Sequence, residues 1–367
     1  MRDWAKNAGL LALSLFAVLL ACEGVLRLLP VSEGLRAQPV NDKSPILHFE
    51  PNRTSTWSAF GTMAMANRVH VNNEGFVNDQ DYDPAASGPL VAVVGDSFVE
   101  AAMVPYARTL HGRLAESLRG RARVYSFAAS GAALSQYLAY AAYARDRFHP
   151  QRGVVVVVGN DFDESLLEYT AAPGLHAFRC GPDGQAELVR TDYAPGALRQ
   201  AIRHFRLALY LVNNMGVGSL RERLAGLFAP RAAFVGQTSA SLDEKRLNDS
   251  LFAIDAFLAM LPQSFGLPPE DILLVLDAPR PDIYDPQACA SAQSSYFGRM
   301  RATLKERAQA AGLRVVDMQG HFLRDFAQNG QRFEFLRDGH WNGRGHQVAA
   351  QAVLSSGLLD GLLDGPR

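Results

Sequence analysis

Residues 91–100 read VAVVGDSFVE, and the fold is decided here. A short apolar run stops at Gly95, and hydrophobic character returns with Phe98 and Val99. A run of this length that ends in a glycine turn and feeds a helical pattern predicts a buried strand followed by a helix. Open α/β sheets expose reactive groups at such a junction. The hydroxyl of Ser97 is therefore either a helix cap or part of a chemical site.

Four further apolar runs, rich in β-branched residues, are also short enough to be buried strands. With the first, they cover residues 90–94, 123–127, 154–158, 272–276 and 313–316. Amphipathic helical patterns separate or follow them at residues 109–118, 135–147, 247–261, 296–311 and 345–359. Strands that alternate with helices predict an α/β fold, a three-layer α/β/α sandwich whose parallel sheet is covered on both faces.

The chain divides into segments around this sandwich, which is predicted to occupy residues 89–362. Residues 30–88 contain few long apolar runs, and NNEG at 72–75 predicts a hairpin in a stem and β-rich lead-in. Residues 165–242 interrupt the alternation with a stretch rich in proline and glycine and then a basic, apolar region. They form an insertion between the third and fourth strands, either a cap over a site or a peripheral packing lobe.

The N-terminus is far more apolar than the rest of the chain. No charge occurs from Ala8 to Cys22, and residues 7–26 reach the ~20 residues that a helix needs to span a bilayer. Arg2 and Lys6 precede this stretch, which favours an N-terminus in the cytoplasm.

We interpret residues 1–29 as an uncleaved transmembrane signal anchor. The alternatives are a cleaved secretory signal and a lipoprotein signal processed at Cys22, where a small residue precedes the cysteine. All three interpretations place residues 30–367 outside the cytoplasm. The remaining cysteines, Cys180 and Cys289, can then form a disulfide in an oxidising compartment, or they are two separate buried thiols.

Composition and charge exclude other classes of protein. The 367 residues are 48% apolar and 20% charged, as in ordinary globular proteins with a substantial core. The net charge is −1 and no basic stripe occurs, so nucleic acid is not an expected partner. The nine histidines form no H-E-x-x-H motif and no C-x-x-C accompanies them, so we expect no metal site and no cofactor.

Polar residues also follow other predicted strands. Gly131 lies in a loop after the second strand, and Asn160 follows the third within GND. Near the C-terminus, RDGHWNG at 337–343 places Asp338 two residues before His340, just ahead of the final helix. Because the carboxyl ends of parallel strands share one edge of the sheet, we expect these residues to converge with Ser97.

Together these residues supply every group that nucleophilic catalysis needs. A hydroxyl nucleophile needs a base, the base needs a carboxylate that holds its tautomer, and the developing oxyanion needs fixed donors. The sequence predicts Ser97 as nucleophile, His340 as base and Asp338 as its orienting acid. The predicted oxyanion donors are the N–H groups of Ser97 and Gly131 and the Asn160 amide.

The neighbouring polar residues are assigned to structure. Asp96 and Asp161 are expected to hydrogen-bond their own loops, because a carboxylate beside the nucleophile would make ionisation of the serine more costly. His346 is expected to pack or cap within the final helix. Trp341 and Asn342 are expected to fix the loop around the predicted base.

The blocks GDS at 95–97, Gly131, Asn160 in GND, and His340 resemble the four blocks of the SGNH/GDSL hydrolase superfamily. The resemblance covers residues 85–355. It implies a flavodoxin-like sheet, Ser97 as nucleophile, His340 as base, and an oxyanion hole formed by Ser97, Gly131 and Asn160.

Two features resemble particular branches of this superfamily. The NNEGF lead-in and the N-terminal segment with Glu23 and Arg27 are similar to membrane-anchored bacterial members, which implies a domain in the periplasm held at the inner membrane. The usual acid lies three residues before the histidine, but that position is Arg337 here. The shorter D-G-H spacing is similar to the branch of alginate O-acetyltransferase-like proteins.

Three functions follow as hypotheses. The first is a hydrolase of acyl esters, chiefly acetyl esters, in the cell envelope, acting through an acyl-enzyme at Ser97. The second is an O-acetyltransferase that passes the same acyl group to a polysaccharide. The third is a non-catalytic, carbohydrate-binding scaffold. Val99 stands where a second glycine would be, which argues against the G-x-S-x-G elbow of α/β-hydrolases.

Overall fold

A computed structural model describes residues 2–216, 234–235, 238–239, 243–280 and 282–363. The chain forms two compact units. The first, called the α1 unit, comprises Met1–Arg36, Thr54–Val69 and Pro195–Pro230. The second, called the sheet unit, comprises Ala37–Arg53, His70–Ala194 and Arg231–Arg367.

The described α-helices are α1 (Arg2–Leu26), α2 (Ser97–Glu100), α3 (Leu110–Ser117), α4 (Leu134–Phe148), α5 (Ala197–Ile202), α6 (Arg206–Leu209), α7 (Glu244–Phe265), α8 (Pro286–Ser294), α9 (Tyr296–Ala310), α10 (Met318–Asn329), α11 (Gly343–Leu354) and α12 (Asp360–Leu363). The described strands are β1 (Arg53–Ala59), β2 (Met65–Val71), β3 (Leu90–Gly95), β4 (Arg123–Ala128), β5 (Arg152–Val157), β6 (His176–Cys180), β7 (Ala186–Arg190), β8 (Phe234–Val235), β9 (Thr238–Ser239), β10 (Ile272–Leu276), β11 (Arg314–Asp317), β12 (Glu334–Phe335) and β13 (Asp338–Trp341).

The sheet unit contains a five-stranded sheet in the order β4-β3-β5-β10-β11. Every neighbouring pair in it is parallel. Numbered along the chain, this order is 2-1-3-4-5, the flavodoxin-like arrangement, in which the strand order reverses between β3 and β5. The predicted fold class and its five strands are confirmed. The strand that carries GDS lies at the reversal, where open α/β sheets bind their ligands.

Both faces of the sheet are covered. Val91 and Val93 pack on one face with residues of α3 and α11. On β5, Val154 and Val156 belong to the same cluster, whereas a Cβ at Gly153 would lie 3.0 Å from the ring of Phe265 on α7. Successive side chains of a strand point to opposite faces, so α7 covers the other face. β3 and β10 are buried along their whole length, which explains their continuous apolar sequences.

Local hydrogen bonds account for the differences between predicted and observed ends. β5 stops at Val157 because the Val158 N–H donates to the Asp161 carboxylate at 2.7 Å instead of joining the ladder. α11 begins at Gly343, earlier than predicted, because the Asn342 side chain caps it. α11 ends at Leu354.

The β-rich lead-in is present as predicted. β1 and β2 form a two-stranded sheet, and the NNEG turn is closed by a bridge between Val71 and Val77. Gly75 has φ +83, and a Cβ there would lie 2.5 Å from the carbonyl oxygen of Phe49. Only glycine fits this turn.

The insertion between the third and fourth sheet strands is also present. It contains the antiparallel hairpin β6–β7 and the short helices α5 and α6, followed by β8 and β9. Residues 217–233, 236–237 and 240–242 of the predicted insertion lie outside the described residues.

The α1 unit holds the end of the N-terminal helix. Asp3–Leu26 forms a 24-residue stretch long and apolar enough to cross a membrane. Near its end, the Glu23 carboxylate accepts the backbone N–H groups of Arg206 and Leu207 at 3.1 and 2.9 Å. Leu26 packs with Val31 and Leu209 in a small buried cluster. The sequence places Glu23 at the edge of an apolar segment, and the structure gives it a partner 183 residues away.

Of the two alternatives for Cys180 and Cys289, the structure contains the separate thiols, because all three cysteines are free. Cys180 ends β6 with an exposed side chain. Cys289 lies on α8, where its sulfur accepts a hydrogen bond from the Gln319 side chain at 3.1 Å. The two thiols are separate but not buried, since Cys180 is exposed and Cys289 is partly exposed.

Candidate active site

Ser97 is the first residue of the one-turn helix α2. The Asp96 side chain caps this helix by accepting the Phe98 N–H at 2.9 Å. The turn is tight, because a Cβ at Gly95 would lie 2.5 Å from the Val99 side chain. Gly95 therefore lets α2 fold back onto the end of β3, and the Ser97 hydroxyl is left partly exposed at the edge of the sheet.

The structure brings Ser97, His340 and Asp338 together. The Oγ of Ser97 lies 2.7 Å from Nε2 of His340. On the other side of the ring, Nδ1 of His340 donates to Oδ1 of Asp338, and the His340 backbone N–H donates to the same oxygen at 3.0 Å. The two-residue D-G-H spacing thus lets one carboxylate oxygen hold both the ring and the backbone of the histidine.

The pKa of Asp338 suits the role of His340 as a general base. Burial acts to raise the pKa of Asp338, but the hydrogen bonds and charge of His340 outweigh it, and the pKa lies below its usual range. The carboxylate is then ionised at neutral pH and holds the proton on Nδ1 of His340. Nε2 is left as an acceptor for the Ser97 hydroxyl.

Asp96 is a second acceptor near the serine. Its Oδ2 lies 3.2 Å from the Ser97 Oγ, farther than Nε2 of His340. Burial raises the pKa of Asp96 to about 6. The capping bond to Phe98 confirms the structural role predicted for this carboxylate.

Two residues that the sequence did not single out bind the neighbours of His340 on both sides. Asp277 and Arg280 form an ion pair whose side chains are 6% and 3% exposed. Asp277 accepts the indole N–H of Trp341 at 2.8 Å, and Arg280 donates to the carbonyl of Gly339 at 2.8 Å. Asp277 directly follows the predicted strand 272–276, so the strand-end rule that found Asn160 could also have found it.

Replacing Asp277 by alanine is expected to lower the free energy of unfolding by about 3 kcal/mol or more, because Arg280 is left buried and without its partner. Asp255→Ala is the matched control, since that carboxylate is 62% exposed in its ion pair with Arg307 and is expected to cost under ~1 kcal/mol. Denaturant unfolding of the full chain in detergent measures both. Equal losses in the two variants would contradict a buried, stabilising role for Asp277.

The predicted oxyanion donors keep N–H groups available. In the described part of the chain, the backbone N–H groups of Ser97 and Gly131 have no hydrogen-bond acceptor. Gly131 is exposed and has φ +83, a conformation that favours glycine. The Asn160 amide donates one hydrogen to the Glu164 carboxylate at 2.8 Å, which leaves its second for a ligand.

Asp161 shapes the loop that carries Asn160. Its carboxylate accepts the Val158 N–H at 2.7 Å and the Tyr137 hydroxyl at 2.9 Å. Burial raises the pKa of Asp161 well above its usual range. The predicted structural role of this residue is confirmed.

A small cleft lies beside Gly131, and part of the insertion forms its wall. Its lining includes Gly131, Ala133, Glu164, Leu175, His176 and Thr191. Of the predicted oxyanion donors, Gly131 lines this cleft, and Asn160 donates a hydrogen bond to Glu164 in its wall. Burial lowers the pKa of His176 to about 4, which keeps its ring neutral at neutral pH. Among the described residues, no group of three or more His, Cys, Asp or Glu could hold a metal ion.

The residues assigned to structure behave as predicted. His346 is buried on α11, and its Nδ1 accepts the N–H of Leu110 at 3.1 Å, at the start of α3. The Asn342 side chain caps α11 through Arg344 and Gly345. Trp341 fixes the loop through its bond to Asp277, described above.

Comparison with known proteins gives similarity in structure only. No family model matches the chain, and no curated protein is significantly similar in sequence. An α/β-hydrolase enzyme from the metagenome of Lake Arreo, Spain, is 15% identical with a TM-score of 0.39, over 77% of this chain and 99% of that one.

Two other solved structures have similar values. A lipolytic protein of the G-D-S-L family from Veillonella parvula is 12% identical with a TM-score of 0.36, over 73% of this chain and 97% of that one. An acetyl xylan esterase is 12% identical with a TM-score of 0.37, over 73% and 99%. The structural neighbours of this chain are thus esterases and lipolytic proteins of low sequence identity.

Proposed function

We propose that the protein is a serine ester hydrolase of the SGNH/GDSL type that acts through an acyl-enzyme at Ser97. The observation that carries this proposal is the continuous chain of contacts from Ser97 through His340 to Asp338. A nucleophile, a base and an orienting carboxylate in this order define a catalytic triad by geometry rather than by sequence position.

In the first half of the proposed reaction, the Ser97 Oγ attacks the carbonyl carbon of the ester while its proton passes to Nε2 of His340. The Asp338 carboxylate stabilises the imidazolium that forms. The N–H groups of Ser97 and Gly131 and the Asn160 amide donate to the oxyanion of the tetrahedral intermediate. The C–O bond to the alcohol then breaks, and His340 returns its proton to the leaving oxygen.

In the second half, water attacks the acyl-enzyme. His340 takes a proton from the water, a second oxyanion forms in the same place, and Ser97 leaves with the proton that His340 returns. The acid is released and the free enzyme is restored, so each turnover consumes one ester and one water.

We propose a short acyl group, chiefly acetyl, on a carbohydrate of the cell envelope. The cleft beside Gly131 is small, and a Cβ at that glycine would lie 4.0 Å from the Leu175 side chain. Limited space beside this oxyanion donor favours a short acyl chain over a long one. Thr191, the Glu164 carboxylate and other polar groups in the lining suit contact with hydroxyl groups.

The same acyl-enzyme supports a second candidate function, transfer of the acetyl group to a sugar hydroxyl. The D-G-H spacing of Asp338 and His340, which resembles alginate O-acetyltransferase-like proteins, favours this candidate. The chemistry at Ser97 is unchanged. Only the nucleophile of the second half differs, an alcohol in place of water.

Turnover of p-nitrophenyl acetate with and without an oligosaccharide distinguishes these candidates. A hydrolase releases one acetate for each nitrophenol, whereas a transferase yields oligosaccharide heavier by an acetyl group in mass spectrometry. Wild-type protein that releases no nitrophenol in either condition would contradict both and leave the non-catalytic scaffold.

We also propose that α1 remains attached as a membrane anchor with the sheet unit in the periplasm. The bonds from Arg206 and Leu207 to Glu23 support this, because they tie the end of α1 to a folded unit. The intact mass of the membrane-extracted protein is expected to include residues 1–29. A mass that begins at Cys22 with added lipid would contradict it.

A further inference from the structure

We infer that Glu100 is a positioning residue that holds the Gly131 N–H in place for the oxyanion. This inference rests on the proposed function and concerns how the oxyanion hole is built. Glu100 has no role in the triad and does not contact the reacting atoms. It acts through Ser130, the residue that precedes Gly131 in the chain.

Both hydrogen bonds that the Glu100 carboxylate accepts come from Ser130. Its Oε2 accepts the backbone N–H of Ser130 at 2.8 Å, and its Oε1 accepts the Ser130 hydroxyl at 2.8 Å. Both carboxylate oxygens are therefore used on the backbone and side chain of the same loop residue. The next backbone N–H along the chain is that of Gly131, which has no acceptor in the described residues.

Burial of the Glu100 carboxylate away from water costs free energy. Glu100 is only 5% exposed, and no lysine or arginine of the described residues forms an ion pair with it. An apolar side chain would fill the same place without the penalty for burying a charge. Ser130 and Gly131 are exposed between the buried residues Ala129 and Ala132, so packing supports both sides of the loop but not Ser130 itself. The two bonds from Glu100 supply that support.

The position of Glu100 in the chain connects the nucleophile to the oxyanion loop. Ser97 is the first residue of α2 and Glu100 is the last. One turn of helix thus carries the attacking oxygen at one end and the carboxylate that fixes Gly131 at the other.

The ionised form of Glu100 is the one that can accept both donors from Ser130. Burial raises the pKa of Glu100 to about 7. The ionisable groups that face it are Asp96, whose charge raises this pKa, His340, whose charge lowers it, and Tyr140 of α4. As the pH falls through about 7, the carboxylate gains a proton and loses an acceptor, so activity falls.

Glu100→Gln tests the inference because it keeps the shape and removes one acceptor and the charge. Misplacement of a catalytic group by about 1 Å costs up to ~10²-fold in rate. We expect kcat for p-nitrophenyl acetate to fall about 10- to 100-fold with KM within about threefold. The acid limb of the pH profile of kcat/KM is expected to become less steep, because the variant has no titrating carboxyl group at position 100.

Two further variants control the experiment. Ser130→Ala removes one of the two bonds, keeps the backbone bond and is expected to cost about threefold to tenfold in kcat. Glu116→Gln changes an exposed glutamate on α3 that pairs with Arg119, and is expected to leave kcat unchanged. If Glu100→Gln fails to fold, the Ser130→Ala value decides.

Several outcomes would overturn the inference. One is Glu100→Gln with wild-type kcat and an unchanged pH profile, and another is a higher KM at unchanged kcat. Ser130→Ala with wild-type kcat would overturn it if Glu100→Gln does not fold. An inactive wild-type protein overturns the proposed function and this inference together, whereas an active wild type with an equally active Glu100→Gln overturns this inference alone.

Discussion

Replacing His340 by alanine is expected to lower kcat for p-nitrophenyl acetate by about 10⁴-fold or more. The variant lacks Nε2, which lies 2.7 Å from the Ser97 Oγ and takes its proton, and the more distant Asp96 carboxylate is occupied in capping α2. The Asp338 carboxylate also loses the imidazolium that it stabilises in the wild-type reaction. Steady-state kinetics on the full chain in detergent measures the effect.

The matched control for this variant is His204→Ala. His204 is exposed in the α1 unit, outside the described hydrogen bonds of the site. We expect its kcat to equal that of the wild type. If His340→Ala retained more than about a tenth of wild-type kcat, His340 would not be the base, since base catalysis alone supplies about 10²-fold or more.

Replacing Asn160 by alanine is expected to lower kcat by about 10²- to 10³-fold, with a smaller change in KM. The amide keeps one hydrogen on Glu164 and presents the other to the carbonyl oxygen, whose negative charge develops in the transition state and is complete in the tetrahedral intermediate. Loss of that donor therefore affects the chemical step more than binding of the neutral ester.

Two further variants test whether the effect of Asn160→Ala is specific to that amide. Asn329→Ala removes an exposed amide at the end of α10, and we expect no change in kcat. Glu164→Gln keeps Asn160 but changes its partner, and we expect a smaller loss than in Asn160→Ala. Unchanged turnover of Asn160→Ala would remove Asn160 from the oxyanion hole.

The sequence predicts those parts of the site that follow from the local pattern of apolar and polar residues. The short apolar runs identify the five strands, the polar residues that follow them identify Ser97 and Asn160, and the D-G-H motif ahead of the final helix identifies His340. The parallel topology then requires that these ends share an edge. The structure brings Ser97, His340 and Asp338 into contact at that edge.

Contacts between distant segments could not be predicted in this way. Arg280 binds the carbonyl of Gly339, 59 residues away, and nothing in the residues around Arg280 indicates that partner. Glu100 and Ser130 are 30 residues apart and meet only because β3 and β4 are neighbours in the sheet. The choice between a disulfide and separate thiols at Cys180 and Cys289 stayed open for the same reason, since cysteine positions in a sequence carry no distances.

The central claim is that Ser97 is an activated nucleophile, and labelling with a fluorophosphonate probe tests it most directly. The wild-type protein is treated with the probe, digested and examined by mass spectrometry, beside Ser97→Ala and the control Ser135→Ala, whose serine donates to the His176 carbonyl. We predict one adduct on Ser97 in the wild type and in Ser135→Ala, and none in Ser97→Ala. An unlabelled wild type, or equal labelling of Ser97→Ala, would contradict the assignment of Ser97 as the nucleophile.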